Sequence, residues 1–263
     1  MPLNGKQRIW LTGATSGIGH ALAERLLADG HRVALSARSE SDLHRLAAGR
    51  DNALLLPLDV SDRDAVASAG KRIAEEFGGL DLALLNAGTC EYLDVQRFDV
   101  DLVERVFAPN FFGAVYCIEA ALPLLRRARA EGGTPLLAAT SSAAAYLPLP
   151  RAEAYGASKA ALSHFLESLR LDLHAEGIGV SLIHPGFVKT PLTDRNDFPM
   201  PMRVGVDQAA EAILEGLSRR RLDVHFPRRF TLLLKLMGIL PPALRHRLGL
   251  RLVRPPTTSE NTP

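Results

Sequence analysis

The sequence predicts an α/β fold in which a doubly wound parallel sheet is covered by helices on both faces. Short apolar runs alternate with longer helical patterns along most of the 263 residues, as in repeated strand–helix units. The short runs are continuously apolar, as expected for strands buried on both faces. Since 47% of the residues are apolar and no linker divides the chain, we expect a single domain with a large core.

Each strand is predicted from an aliphatic run, and each helix from apolar residues that recur on one face. In chain order, the predicted strands are Arg8–Thr12, Arg32–Ala37, Ala53–Leu58, Leu80–Leu85, Leu136–Thr140, Gly179–Ile183 and Asp223–Phe226. The predicted helices are Ile18–Ala28, Ser41–Ala48, Arg63–Phe77, 100–130, Ala154–Glu176 and Gln208–Leu217. Ser61 or Asp62 suits the N-cap of the third helix, and Pro109 and Pro123 punctuate the long region 100–130.

The net charge of +2 is unevenly distributed along the chain. Residues 219–254 carry ten basic residues and one acid, a local charge of +9, whereas residues 1–218 sum to −6. The near-neutral total argues against a dedicated nucleic-acid-binding protein, and no recognisable nucleic-acid module accompanies the arginines. We therefore expect no nucleic acid among the partners.

The cysteines and the N-terminus bear on the cellular location. Cys90 and Cys117 form no CxxC pair and suggest neither a zinc ribbon nor a disulfide framework. The first seven residues have no apolar secretory core, so we expect an intracellular, cytoplasmic protein. The most apolar run, Phe230–Leu240, is too short to span a bilayer. His184 lacks partner ligands, so no metal site is predicted.

A glycine-rich turn, Thr12-Gly13-Ala14-Thr15-Ser16-Gly17-Ile18-Gly19, follows the first strand and leads into a helix. Such glycines let backbone N–H groups approach a pyrophosphate at the positive end of a helix, although a purely structural tight turn has the same composition. The position after the first strand of an alternating chain favours a dinucleotide site on a Rossmann-type fold.

The end of the second strand indicates which dinucleotide binds. An acid there holds a free ribose 2′-hydroxyl, whereas an arginine suits a 2′-phosphate. The strand ends at Ala37-Arg38, which offers no carboxylate and a guanidinium able to pair with phosphate. Because Arg38 is alternatively a solvated surface residue, the missing acid is the stronger evidence for NADP(H) over NAD(H).

Tyr155 and Lys159 are four residues apart at the start of a predicted helix and therefore share one face. A phenol with an ordinary pKa of about 10 is a poor acid–base catalyst at neutral pH, and a nearby ammonium lowers that pKa. Such a pair is common on helices by chance, so its meaning depends on the motifs that accompany it.

Four motifs accompany the pair: the glycine turn, Asn86-Ala87-Gly88 after the fourth strand, Ser142 thirteen residues before Tyr155, and Pro185-Gly186 after the sixth strand. In this order and spacing, over about residues 7–227, the chain closely resembles the short-chain dehydrogenase/reductase family, NADP-preferring type. The resemblance implies hydride transfer between a nicotinamide and a carbonyl or alcohol carbon.

The resemblance also implies roles for single residues. Tyr155 exchanges a proton with the substrate oxygen, Lys159 lowers the pKa of Tyr155 and binds the nicotinamide ribose, and Ser142 polarises the carbonyl. Asn110 supports a water-linked proton relay to Lys159. The implied cofactor contacts are Gly13, Thr15, Ser16, Gly17, Ile18, Gly19, Arg38, Asp59, Val60, Asn86, Ala87, Gly88, Tyr155, Lys159, Pro185, Gly186, Val188 and Thr190.

The residues leave several alternatives open. Ser16 stands where some NADP-preferring members carry a basic residue, which weakens the expected preference. Ser141 is the second choice to Ser142 as the active hydroxyl, and Cys90 is either a substrate contact or a small apolar filler. The loop after Pro185-Gly186 forms either an apolar lid, which favours a lipophilic substrate, or packing for the last helices. Its apolar residues are Leu192, Phe198, Met200 and Met202.

We therefore expect an NADP(H)-dependent oxidoreductase acting on a small carbonyl or alcohol substrate, in a homodimer or homotetramer by resemblance. A non-catalytic NADP-sensing regulator on the same fold is the alternative. The catalytic domain is predicted to span residues 1–229, followed by a helical extension, 230–254, and a disordered tail, 255–263.

The extension carries leucines every four residues from Leu244 to Leu252, with arginines on another face. A basic amphipathic helix of this kind lies on an anionic membrane surface. Alternatively, the extension docks on the acidic body of the chain and leaves its arginines in water.

Overall fold

The computed structural model describes residue 3 and residues 5–253, except the side chain of residue 195. The strands are β1 Arg8–Thr12, β2 Arg32–Ala37, β3 Ala53–Pro57, β4 Leu82–Leu85, β5 Leu136–Thr140, β6 Gly179–Pro185 and β7 Asp223–Phe226. They form one parallel sheet in the order β3-β2-β1-β4-β5-β6-β7, which confirms the predicted Rossmann-type fold. The strand order reverses between β1 and β4, where such sheets bind ligands.

The helices are α1 Gly17–Ala28, α2 Glu40–Ala47, α3 Arg63–Phe77, α4 Val100–Phe107, α5 Gly113–Ala130, α6 Glu153–Ala175, α7 Val206–Ser218, α8 Arg228–Gly238 and α9 Pro242–Leu250. Of the two N-cap candidates for α3, Asp62 takes the position, since its carboxylate accepts the N–H groups of Asp64 and Ala65 at 3.0 Å each. The predicted disordered tail lies outside the described residues.

Two apolar layers hold the helices against the sheet. Leu22 of α1 and Ile213 of α7 lie in the layer on one face, and Ile73 of α3 and Leu125 of α5 lie in the layer on the other. Both faces of the sheet are therefore covered, as the continuous apolar runs predict.

The long helical region 100–130 consists of α4 and α5 joined by a π-helical turn, Ala108–Phe112. Pro109 lies in this turn because proline has no N–H for a helical hydrogen bond and its ring crowds the carbonyl four residues earlier. Pro123, by contrast, remains inside α5. By length and composition alone Val100–Ala130 is capable of crossing a membrane, but 44% of its most apolar stretch is buried inside the protein. We interpret it as a core helix.

Candidate active site

The site is built where the turns after β1 and β4 meet. Thr12 at the end of β1 accepts hydrogen bonds on its hydroxyl from the backbone N–H groups of Asn86 (3.0 Å) and Ala87 (3.1 Å). Gly13 has a φ of +67°, and a Cβ atom there would lie 2.8 Å from the Ala87 Cα. A Cβ at Gly19 would lie 2.0 Å from the Gly13 carbonyl oxygen. Only glycine permits this close approach of the two turns.

A cavity of about 200 Å³ lies beside these turns. Most of the predicted site residues line it, namely Gly13, Ser16, Gly17, Ile18, Asn86, Ala87, Gly88, Ser142, Tyr155, Lys159, Pro185, Gly186, Val188 and Thr190. It is also lined by Ser141, the second choice as active hydroxyl, by Leu192 of the predicted apolar loop, and by four residues that were not predicted: Thr89, Thr140, Pro191 and Thr193. A larger groove, of about 540 Å³ between α3 and α5, contains none of the predicted site residues.

The remaining predicted residues lie outside this cavity lining. Arg38 is exposed at the carboxyl end of β2, and Asp59 is exposed after β3, where its carboxylate accepts the N–H of Ser61 at 2.8 Å. Val60 is buried against Gly113, whose added Cβ would lie 2.8 Å from the Val60 Cγ2. Thr15 and Gly19 belong to the glycine turn, and Asn110 lies in the π-helical turn.

The two predicted hydroxyls of the chemistry come together. The Tyr155 phenol and the Ser142 hydroxyl lie near each other in the cavity wall, and the Ser142 oxygen accepts the N–H of Ala144 at 3.1 Å. Burial raises the pKa of the Tyr155 phenol, and the proximity of Cys90 adds to this rise. The direction is opposite to the one expected from Lys159, because withdrawal from water disfavours the phenolate.

The Lys159 ammonium is buried and donates a hydrogen bond to the Thr140 carbonyl at 2.8 Å. Burial lowers the pKa of Lys159 to about 8. A Cβ at Gly88 would lie 2.8 Å from the Asn110 Oδ1 and 3.2 Å from the Lys159 Nζ, so a side chain at this position would crowd both groups. Lys159 therefore lines the same cavity as Tyr155, near the turn after β4.

Asn110, the fourth residue predicted for the chemistry, is fully buried in the π-helical turn. Its side-chain oxygen accepts the N–H of Thr89 at 2.8 Å, and its amide donates to the Thr89 carbonyl (2.9 Å) and to the Ser158 hydroxyl (3.0 Å). These bonds fasten the segment after Gly88 to α6. The water-linked relay to Lys159 stays a prediction.

Sequence reasoning missed a chain of polar side chains behind the cavity. The Ser163 hydroxyl lies 2.8 Å from the Ser141 hydroxyl and 3.1 Å from the His184 Nε2. The His184 Nδ1 lies 2.8 Å from an Asp223 carboxylate oxygen, and Lys235 of α8 forms an ion pair with the same carboxylate. We call these five residues the His184 network. Ser163 continues the four-residue spacing of Tyr155 and Lys159 along α6, which is the one signal that could have revealed it.

A cluster of aromatic side chains adjoins the cavity at Gly186, where an added Cβ would lie 2.9 Å from the Phe230 ring. The Phe198 ring lies 5.5 Å from the Tyr92 ring and 6.0 Å from the Phe187 ring, and Phe187 lies 5.3 Å from Phe230 of α8. Phe198 therefore contacts the α8 region through Phe187, and the choice between a substrate lid and packing for the last helices stays open. Burial raises the pKa of Cys90, beside this cluster, to about 11, so its thiol is neutral at physiological pH.

Within residue 3 and residues 5–253, no group of three or more His, Cys, Asp or Glu side chains is placed to hold a metal ion. The crevice at the reversal of strand order, with its glycine turn and its paired phenol and hydroxyl, defines a dinucleotide-binding α/β enzyme. The family model described as short chain dehydrogenase matches residues 7–198. The chain belongs to the short-chain dehydrogenase/reductase family, and it is an oxidoreductase of that family.

Individual relatives agree with this assignment. An uncharacterised oxidoreductase of Myxococcus xanthus is 36% identical over 242 residues, covering 89% of this chain and 92% of that protein. The 11-beta-hydroxysteroid dehydrogenase 1A of Arabidopsis thaliana is 31% identical, covering 84% of this chain and 68% of that protein.

Solved structures share the fold. A short-chain dehydrogenase from Burkholderia cenocepacia in complex with NADP has a TM-score of 0.81 at 24% identity, covering 96% of this chain and 100% of that one. A short-chain dehydrogenase/reductase from Burkholderia phymatum in complex with NAD has a TM-score of 0.80 at 24% identity, covering 97% and 99%.

Proposed function

We propose that the protein transfers a hydride between NADP(H) and a carbonyl or secondary alcohol carbon of a lipophilic small molecule. The observation that carries this proposal is the pair of hydroxyls, on Tyr155 and Ser142, that lines the same glycine-rich cavity as Lys159. The alternative, a non-catalytic NADP-sensing regulator, has no need of such a pair.

The residues present fit a nicotinamide dinucleotide. Gly13, Gly17 and Gly19 leave space that side chains would fill, and Ser16 at the N-cap of α1 makes no side-chain cap bond. The N-terminal N–H groups of α1 therefore face the cavity, where they suit a pyrophosphate. When bound, the dinucleotide supplies the hydride chemistry.

The side chains supply binding, orientation and a proton. Ser142 holds the substrate oxygen, and the Tyr155 hydroxyl donates its proton to that oxygen during reduction or accepts it during oxidation. Because burial keeps the phenol protonated, it is prepared as a donor at neutral pH. The Lys159 ammonium binds the ribose beside Gly88 and supports the phenolate when the proton leaves.

The preference for NADP(H) is proposed from Ala37 and Arg38. Arg38 is exposed at the end of β2, where its guanidinium is free to meet a 2′-phosphate, and Ala37 offers no carboxylate to hold a free 2′-hydroxyl. Replacement of Arg38 by Asp is expected to reverse the ratio of kcat/KM for NADPH and NADH. A wild-type enzyme that strongly prefers NADH would contradict this proposal.

A lipophilic substrate is proposed from the aromatic side chains around Phe198 and from the steroid named for the Arabidopsis relative. A screen that follows NADPH absorbance across steroids, retinoids, fatty aldehydes and quinones would identify the class. In that assay, Tyr155→Phe is expected to reduce kcat by orders of magnitude and to leave dinucleotide binding intact. Tyr116→Phe, on α5 outside the cavity, is the control and should retain activity. Equal turnover by Tyr155→Phe and wild type would overturn the assignment.

We also propose a homodimer or homotetramer. Several large apolar side chains on α6 and around α4 are exposed, with Leu171 at 77% and Phe98 at 64%. Sedimentation analysis would show the oligomer, and a monomer at micromolar concentration would contradict it. The cytoplasmic location stays a prediction, which fractionation of the source cells would test.

A further inference from the structure

Helix α8 presents two different faces. Its inner face is packed on the protein: Thr231 and Leu234 are buried, and Leu234 lies in a cluster with Ala143 and Leu147. We call the opposite face the outer face. It consists of Leu232, Leu233, Leu236 and Ile239, which are 53%, 51%, 58% and 80% exposed. Neighbouring aliphatic residues exposed to this extent mark a surface that contacts another protein or a membrane.

All of the charged side chains on α8 and α9 are positive. Residues 224–253 contain no acid. Arg228 and Arg229 are exposed at the start of α8, and Arg247 and Arg251 are exposed on and after α9. None of these four arginines has a carboxylate partner in the part of the chain that the structure describes.

Helix α9 extends the same surface rather than the core. No residue between Pro242 and Leu250 is buried, although Leu244 and Leu250 are apolar and half exposed. The helix is held to α8 by Arg245, which donates a hydrogen bond to the Gly238 carbonyl at 3.0 Å. Two successive helices therefore present leucines and arginines outward together.

We propose that the outer face of α8, with α9, binds the surface of an anionic phospholipid bilayer. Aliphatic side chains enter the boundary of the acyl chains, while the arginines beside them meet the lipid phosphates. The apolar residues of the outer face are Leu and Ile alone. Protein interfaces concentrate their binding energy in Trp, Tyr and Arg, and the outer face has arginines beside it but neither aromatic residue.

The location of α8 connects this surface with the cavity. Phe230 in the first turn of α8 stacks on Phe187, and a Cβ at Gly186 in the cavity wall would lie 2.9 Å from the Phe230 ring. A bilayer on the outer face would therefore lie near the substrate end of the site. This consequence rests on the proposed lipophilic substrate, but membrane binding itself does not.

Cosedimentation of the full chain with vesicles tests the proposal. Vesicles of phosphatidylcholine alone are compared with vesicles that also contain phosphatidylglycerol, at low and high salt. The apolar variant is Leu232→Ser with Leu236→Ser, and its matched control is Leu222→Ser, another exposed leucine. Tyr155→Phe should bind like wild type, which separates membrane binding from catalysis.

The charge variant is Arg228→Gln with Arg229→Gln, and its control is Arg45→Gln with Arg97→Gln at exposed sites elsewhere. We expect wild type to bind only the anionic vesicles, more weakly at high salt. The charge variant should lose roughly 30-fold in partition coefficient, at about fivefold for each arginine. The apolar variant should lose roughly 100-fold, at about tenfold for each leucine.

Three outcomes would overturn the proposal. The first is no binding by folded wild type to anionic vesicles at low salt. The second is equal losses in the variants and their controls. The third is that wild type forms an oligomer but binds no vesicles, whereas the apolar variant is a monomer. The outer face would then join two copies of the chain. Circular dichroism of each variant shows that it is folded.

Discussion

Neutralising Asp223 should loosen α8 from the body of the protein. The Asp223 carboxylate accepts hydrogen bonds from His184 at 2.8 Å, from the Tyr146 hydroxyl at 3.3 Å and from Lys235. Asp223→Asn removes the charge and leaves the half-buried ammonium of Lys235 without its partner. Hydrogen bonds to a charged group contribute about 1.5–3 kcal/mol each, and partial exposure reduces this. We expect the free energy of unfolding to fall by about 2–4 kcal/mol at pH 7 and the Tm by roughly 5–15 °C.

The pH dependence follows from the pKa of Asp223. Burial opposes ionisation of this carboxyl, but the hydrogen bonds from His184 and Lys235 outweigh burial and hold its pKa well below the usual range. A lowered pKa in the folded state stabilises the protein above the unfolded pKa of about 4, and this stabilisation is lost as pH falls through the folded value. The difference between wild type and Asp223→Asn should therefore be constant from pH 7 to about 5 and shrink below about pH 4.

The measurements are urea denaturation across this pH range and amide hydrogen exchange of α8. Exchange should accelerate in residues 228–238 and remain slow in β1. Glu215→Gln is the control, because the Glu215–Arg219 pair (3.1 Å) is exposed on α7 and should contribute less than about 1 kcal/mol. An unchanged free energy of unfolding in Asp223→Asn, or a difference that persists unaltered to pH 2, would refute the reasoning.

Three further changes give distinct outcomes. Lys159→Met should abolish turnover yet raise the Tm at pH 7. Burial lowers the pKa of Lys159 to about 8, which shows that the interior disfavours its charged form. A lower Tm would contradict this. Gly19→Ala should lower the free energy of unfolding by at least about 2 kcal/mol and prevent dinucleotide binding, because the new Cβ would lie 2.0 Å from the Gly13 carbonyl oxygen. Gly249→Ala is the control and should be neutral, since no atom lies within 4 Å of a Cβ at that position. At pH 7.5, iodoacetamide should modify Cys90 only in the unfolded protein, because burial raises the pKa of the Cys90 thiol to about 11 in the folded state. Rapid modification of the native enzyme, detected by mass spectrometry, would contradict this.

The sequence was sufficient for the features that depend on local spacing. The cavity is lined, as expected, by residues of the glycine turn and by the Asn86–Gly88 turn. It is also lined by Tyr155 and Lys159, which share one face of α6 because they are four residues apart. Each follows directly from strand–turn–helix geometry, which neighbouring residues determine.

Features that depend on distant pairing were not predictable. His184 meets Asp223 because β6 and β7 pair in one register, which places residues 39 apart in the chain side by side. The pKa direction of Tyr155 depends on burial by several elements at once, and the pairing of Lys235 depends on where α8 docks. No pattern within a single segment contains this information.

The contact of the β1 turn with the β4 turn has a consequence for folding during synthesis. Thr12 and Gly13 reach their native surroundings only when Asn86 and Ala87 are available, more than 70 residues later in the chain. At roughly 5–20 residues per second, a ribosome needs about 4–15 seconds to make that length. The nascent N-terminal segment therefore waits with an unsupported phosphate-binding turn, and contacts of such separation fold slowly. Dinucleotide added during translation should stabilise only chains that have already extended past β4.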